Sequence, residues 1–78
     1  MRIRTEKQEA GRIPSETVVA IWTVTGVEEV IVHASQVDAN GVEVGFIGQK
    51  GDDFLVELPR ETLRGRWRVW VPKSAVAA

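Results

Sequence analysis

A two-residue alternation of side chains recurs in five short stretches of this 78-residue chain and constrains its fold more than any other feature. Successive side chains of a β-strand point to opposite faces, so a period of two predicts strands. Valine, isoleucine and threonine are frequent in these stretches, as is typical of pleated, half-buried surfaces. The predicted strands span residues 17–24, 28–37, 41–49, 53–58 and 66–71.

Turn-forming residues separate the predicted strands and keep most connections short. Thr25-Gly26 ends the first strand, and Asn40-Gly41 suits a tight turn because glycine and asparagine accept positive φ angles. Pro59 and Pro72 end the fourth and fifth strands because proline has no N–H for the ladder. We expect residues 74–78 to form either a short 3-10 turn or a last strand.

Five short strands joined in this way predict an all-β fold, namely a small five-stranded antiparallel meander. Curling such a sheet into a barrel buries one face and protects its edges. Gly45 and Gly48 would permit the bend or bulge that curling needs. We therefore predict a single β-barrel domain over residues 13–78. Residues 1–12 lack clean alternation and are interpreted as either a flexible arm or an added edge strand.

The end of the chain, VWVPKSAVAA, resembles the end of an SH3 domain, where a strand enters a Pro-Ser-Asn-Tyr-Val turn and a short final strand. The match covers about ten residues and implies an SH3-like barrel, not membership of a family. Ala75 stands where the SH3 peptide groove has a tyrosine, and only Pro72 of that groove is present. Sm-like rings use a similar barrel, but the chain has none of their signature residues.

The predicted core takes one face of each strand, and the other face is also partly apolar. The core residues are Val18, Ala20, Trp22, Val30, Val32, Val44, Phe46, Phe54, Val56, Trp67 and Val69. The apolar residues predicted on the outer faces are Val19, Ile21, Ile31, Ile47 and Leu55. So much apolar surface on a small barrel predicts self-association, through the outer face or through edge strands.

Composition excludes several classes of protein. The chain has no cysteine, so disulfides and thiolate metal sites are excluded and a reducing cytoplasm is the expected location. No apolar run approaches the roughly 18 residues of a membrane span, so no membrane partner is expected. Residues 13–59 carry one lysine against eight acids, whereas residues 1–12 and 60–78 are both basic. Such separation favours internal salt bridges, although it would also suit an anionic partner or a second copy.

The best candidate for a binding site is the basic segment, which we define as Arg64, Arg66, Arg68, Trp70 and Lys73. Guanidinium groups contact phosphates, and an indole stacks on a base, so this segment could bind single-stranded nucleic acid. The alternatives are a solvated strand face, a Trp70 covered by residues 1–12, or an internal cation–π pair. The sequence pI of about 5.8 argues against a dedicated nucleic-acid binder.

No arrangement of residues predicts catalysis, a cofactor or a metal ion. His33 is the only histidine, and Ser35, two residues along a strand, would lie about 7 Å away, too far for a nucleophile and its base. Most carboxylates fall in turns or at strand ends, where acids form local hydrogen bonds. We therefore expect a non-catalytic binding or scaffold domain that acts through protein–protein contacts and self-associates. Single-stranded nucleic-acid binding is the alternative, and a small oligomeric enzyme with its site at a symmetry axis is a third class that no residue pattern supports.

Overall fold

The structure is a computed structural model that describes residues 1–77, so Ala78, at the end of the predicted domain, lies outside it. The all-β prediction is confirmed, because the described residues form nine strands and no α-helix. Two 3-10 turns span Ala34–Gln36 and Lys73–Ala75. The strands are β1 (Arg2–Ile3), β2 (Lys7–Ala10), β3 (Glu16–Thr23), β4 (Gly26–His33), β5 (Val37–Asp38), β6 (Gly41–Glu43), β7 (Gly45–Lys50), β8 (Asp53–Glu57) and β9 (Arg68–Pro72).

These strands make three antiparallel sheets of three strands each, in the orders β1-β6-β5, β2-β3-β4 and β7-β8-β9. Two of the five predicted strands are divided between sheets. The predicted strand 28–37 becomes β4, a 3-10 turn and β5, and the strand 41–49 is interrupted at Val44 between β6 and β7. The chain therefore passes from one sheet to another at these two points.

Backbone hydrogen bonds also connect the sheets. The Val24 N–H, just beyond β3, donates to the carbonyl of Trp70 on β9 at 2.9 Å. Ile3 on β1 pairs with Val76 in an antiparallel bridge, and the Arg4 N–H donates to the Ala75 carbonyl at 2.8 Å. The N-terminal and C-terminal segments of the described chain are thus bound to each other.

The core differs from the prediction on β3, where the buried residues are Val19 and Ile21 and the exposed indole is that of Trp22. β3 is apolar on both faces, so its alternation could not decide which face is buried. Its register with β4 decides, because Val19 lies opposite the buried Val30 and cross-strand partners share a face. The buried hydrophobic residues are Ile3, Val19, Ile21, Val30, Val32, Val42, Val44, Val56, Leu58, Val69 and Val71.

Two aromatic residues predicted to lie in the core are half-exposed. Trp67 precedes the first residue of β9 and lies at the end of its sheet, where 52% of its surface is accessible. Phe46 lies on the outer strand β7 and contacts Phe54 edge-to-face, with ring centroids 5.3 Å apart. The pairing of β7 with β8 shifts register between Phe46 and Gly48, at one of the two glycines predicted to permit a bend or bulge.

Candidate functional site

The structure distributes the basic segment over three elements. Arg64 and Arg66 lie in the loop before β9, Arg68 and Trp70 lie on β9, and Lys73 begins the second 3-10 turn. The four charged side chains belong to exposed residues, whereas Trp70 is partly buried. Trp70 pairs across the sheet with Leu55, so the two side chains share the outer face of β8 and β9.

Arg66 is engaged with a buried carboxylate. Glu28 lies on the core face of β4 beside Val30, and its side chain is only 1% exposed. The Arg66 Nε lies 3.6 Å from a Glu28 carboxylate oxygen, and neither carboxylate oxygen accepts a hydrogen bond from the described residues. A buried charge is costly without an opposite charge nearby, so Arg66 contributes to the fold as well as to the surface.

Acidic residues also accompany two other members of the basic segment, Arg68 and Trp70. The Arg68 Nε donates to the Glu57 carboxylate at 3.0 Å across β8 and β9. Asp52 and Asp53 line a depression together with Trp70 and Lys50. Within residues 1–77, Arg64 and Lys73 have no carboxylate within 4.0 Å. The predicted binding surface therefore alternates in sign and is not a continuous basic strip.

A second aromatic surface lies at the end of the sheet β2-β3-β4. Trp22 on β3 is directly opposite Val27 on β4, and the two residues are 50% and 40% exposed. The indole borders a groove of about 340 Å³ between this sheet, the segment that precedes β2 and the second 3-10 turn. We call this the Trp22 groove; it is lined by residues 4–6, Trp22, Pro72, Ser74 and Ala75.

The wall of the Trp22 groove is fixed by backbone bonds at both ends of residues 4–6. The Arg4 N–H donates to the Ala75 carbonyl at 2.8 Å, and the Glu6 N–H donates to the Ala20 carbonyl at 2.7 Å. The Arg4 guanidinium donates to the Ser74 carbonyl at 2.9 Å. The backbone of Arg4 and Glu6 is therefore held in the wall of the groove that Trp22 also lines, and both residues are exposed.

Sequence reasoning missed this groove for identifiable reasons. Trp22 was predicted to be in the core because both faces of its strand are apolar. Arg4 and Glu6 fall in the charged stretch interpreted as an arm or edge strand. Ile3 between two arginines was the available signal, because an isolated apolar residue between charged ones is typical of a short strand with one buried face.

His33 and Ser35 lie much closer together than predicted, with 2.7 Å between Nδ1 and Oγ. The predicted separation of about 7 Å was wrong because it assumed a continuous strand, whereas Ser35 lies in a 3-10 turn that follows β4. The Ser35 N–H donates to His33 Nδ1 at 3.1 Å, so the imidazole caps this turn. No carboxylate of residues 1–77 lies within 4.0 Å of the imidazole, so no catalytic triad is assembled.

Comparison with known proteins gives no independent guide to function. Protein-family models, curated proteins and solved structures were searched, and none matches this chain. No cluster of three or more potential metal ligands is found in residues 1–77. In the same residues, no helix is long and apolar enough to cross a membrane.

Proposed function

We propose that this chain is a non-catalytic binding or scaffold domain that acts through protein–protein contacts and self-associates. The observation that carries this proposal is the exposed Trp22 indole beside a groove whose wall is fixed by hydrogen bonds. Tryptophan is enriched at protein interfaces, where its large apolar surface and its N–H both find partners.

Neighbouring residues extend the apolar surface around Trp22. Val27 lies opposite it on β4, and Val24 in the connecting turn is 50% exposed. Pro72 lines the same groove as the indole. Contiguous apolar surface of this kind on a small domain marks a site of interaction, whereas single exposed apolar residues do not.

We also propose that the three sheets together form an SH3-like barrel. Three links support this: the hydrogen bond from Val24 to Trp70, the near-continuous passage from β6 into β7, and the bridge between Ile3 and Val76. The 3-10 turn at Lys73–Ala75 occupies the position of the turn that the sequence resemblance implies. The lack of cysteine supports a cytoplasmic location.

Sedimentation velocity across micromolar concentrations tests the proposal. We expect the wild-type chain to self-associate and Trp22→Ala to weaken association about 30-fold, since a tryptophan in an interface contributes about 2 kcal/mol or more. Trp67→Ala is the matched control, because Trp67 is equally exposed but does not line the groove. A wild-type chain that stays monomeric at high micromolar concentration would contradict self-association.

Single-stranded nucleic-acid binding through the basic segment has less support. Arg66 and Arg68 lie beside Glu28 and Glu57, and acids flank Trp70. A phosphate backbone on this surface would compete with the exposed Glu57 carboxylate for Arg68, which reduces the electrostatic attraction on which such binding depends.

A further inference from the structure

The Trp22 groove carries one positive and one negative side chain that have no ion-pair partner within residues 1–77. These are Arg4 and Glu6, and both are exposed. Of the nine other lysine and arginine side chains, five lie within 4.0 Å of a carboxylate: Arg2, Lys7, Arg60, Arg66 and Arg68. The groove thus combines apolar side chains with two opposite charges that lack an ion-pair partner, although one N–H of Arg4 donates to the Ser74 carbonyl.

A surface with both charges discriminates between occupants. An acidic peptide lying along residues 4–6 would meet the Glu6 carboxylate, and a basic peptide would meet the Arg4 guanidinium. A second copy of the same surface matches both, because a two-fold axis places each patch against itself. With the axis near Thr5, Arg4 of each protomer faces Glu6 of the other, and the two Trp22 indoles lie in the same interface.

We propose that the Trp22 groove is the interface between two copies of this chain, with reciprocal Arg4–Glu6 ion pairs across a two-fold axis. The backbone geometry favours this pairing. The hydrogen bonds at Arg4 and Glu6 hold the segment in place before association. Little order has to be gained on binding, which lowers the entropic cost of the contact. This inference rests on the proposed function, of which it specifies the surface and the partner.

Charge exchange tests the pairing directly. The dimer has two equivalent contacts between position 4 of one protomer and position 6 of the other. In Arg4→Glu each contact would bring two carboxylates together, and in Glu6→Arg each would bring two guanidinium groups together. Each single variant should therefore sediment as a monomer, with association weakened at least tenfold. In an equimolar mixture the two variants are complementary, so a heterodimer should form at the concentration at which the wild type dimerises.

Arg12→Glu is the control for a change of charge alone, because Arg12 is exposed and does not line the groove. Far-ultraviolet circular dichroism of each variant reports whether it is folded. If either reversal unfolds the chain, the neutral variants Arg4→Gln and Glu6→Gln take its place. Each should weaken the dimer, and increasing salt should weaken the wild-type dimer more than either neutral variant.

The results of these experiments distinguish a failure of this interface from a failure of self-association itself. Recovery of dimer only in the mixture supports the reciprocal pairs. A wild-type dimer that is unaffected by any of these substitutions overturns this interface and leaves self-association standing through another surface. A wild-type chain that stays monomeric at high micromolar concentration overturns self-association, and this inference with it.

Discussion

Glu28 is the only carboxylate among the buried residues of the described chain, and its position shows how a single residue can tie a loop to the core. It occupies a site on β4 that alternation assigns to an apolar side chain, next to Val30. Arg66 reaches it from the loop before β9, while Thr62 of the same loop pairs with Val30. Removing Arg66 would leave a buried charge uncompensated, so the loop and the ion pair stabilise each other.

Gly41 provides the sharpest prediction at the residue scale. Its φ angle of +124° is unfavourable for any side chain, and a Cβ built there would lie 2.0 Å from the Ile3 carbonyl oxygen. Gly41→Ala should therefore lower the free energy of unfolding by more than the roughly 1–3 kcal/mol that such a φ angle costs by itself. Urea unfolding followed by tryptophan fluorescence measures the change.

Two other glycines distinguish the cost of the positive φ angle at Gly41 from the cost of the close approach to the Ile3 carbonyl. Gly26 has a similar φ of +122° but no atom within 4 Å of a built Cβ, so Gly26→Ala should cost only about 1–3 kcal/mol. Gly48 has neither feature, so Gly48→Ala should change stability by less than about 1 kcal/mol. Equal costs for Gly41→Ala and Gly26→Ala would contradict the close approach of β1 to this turn.

At the scale of elements, the sequence predicts where the strands lie better than it predicts which face of each strand is buried. β3 and β8 lie close to where the alternation places them, and the register of β7 with β8 shifts beside Gly48, where a bend or bulge is predicted. The buried face of β3 could not be predicted, because Val18 and Val19 are equally apolar and only pairing with β4 distinguishes them. The Trp22 groove could not be predicted from the sequence for the same reason, since its tryptophan was assigned to the core.

The N-terminal segment shows the complementary limit of sequence reasoning. Residues 1–12 lack alternation because β1 and β2 are short and most of their residues face solvent. Their structure depends on partners distant in sequence: Ile3 lies opposite Val42 on β6 and bridges to Val76. A local pattern cannot reveal pairing of this kind, so the segment could be interpreted only as an arm or an edge strand.

Ile3→Ala tests whether this segment stabilises the fold. Ile3 is completely buried, so we expect a loss of about 2–5 kcal/mol of unfolding free energy from lost burial and the cavity that remains. Ile13→Ala is the control, because Ile13 is 52% exposed and should cost less than about 1 kcal/mol. Thermal unfolding of both variants compares them, and similar midpoints would show that β1 contributes little to stability.

At the scale of the whole molecule, the basic and acidic segments of the sequence largely pair with each other within the fold. Basic residues from both ends of the chain meet acids of the middle: Arg2 lies near Asp38 and Glu43, and Arg60 lies near Glu16. These pairs are partly exposed, so each adds little stability, but together they cancel much of the potential that a basic surface would project. This agrees with internal salt bridges as the favoured interpretation of the sequence.

The same cancellation of charge predicts that the chain does not bind single-stranded nucleic acid measurably. Titration of the chain with single-stranded RNA and DNA at low and high salt, followed by tryptophan fluorescence, should give no saturable change at either salt concentration. The reason is that a binder must replace several phosphate counterions, and Arg66 and Arg68 already contact carboxylates. A saturable, salt-sensitive change that Trp70→Ala abolishes and Trp22→Ala retains would contradict this and favour the basic segment as the binding site. Loss of the change in Trp22→Ala alone would instead place nucleic acid in the groove, where it would compete with a second copy of the chain.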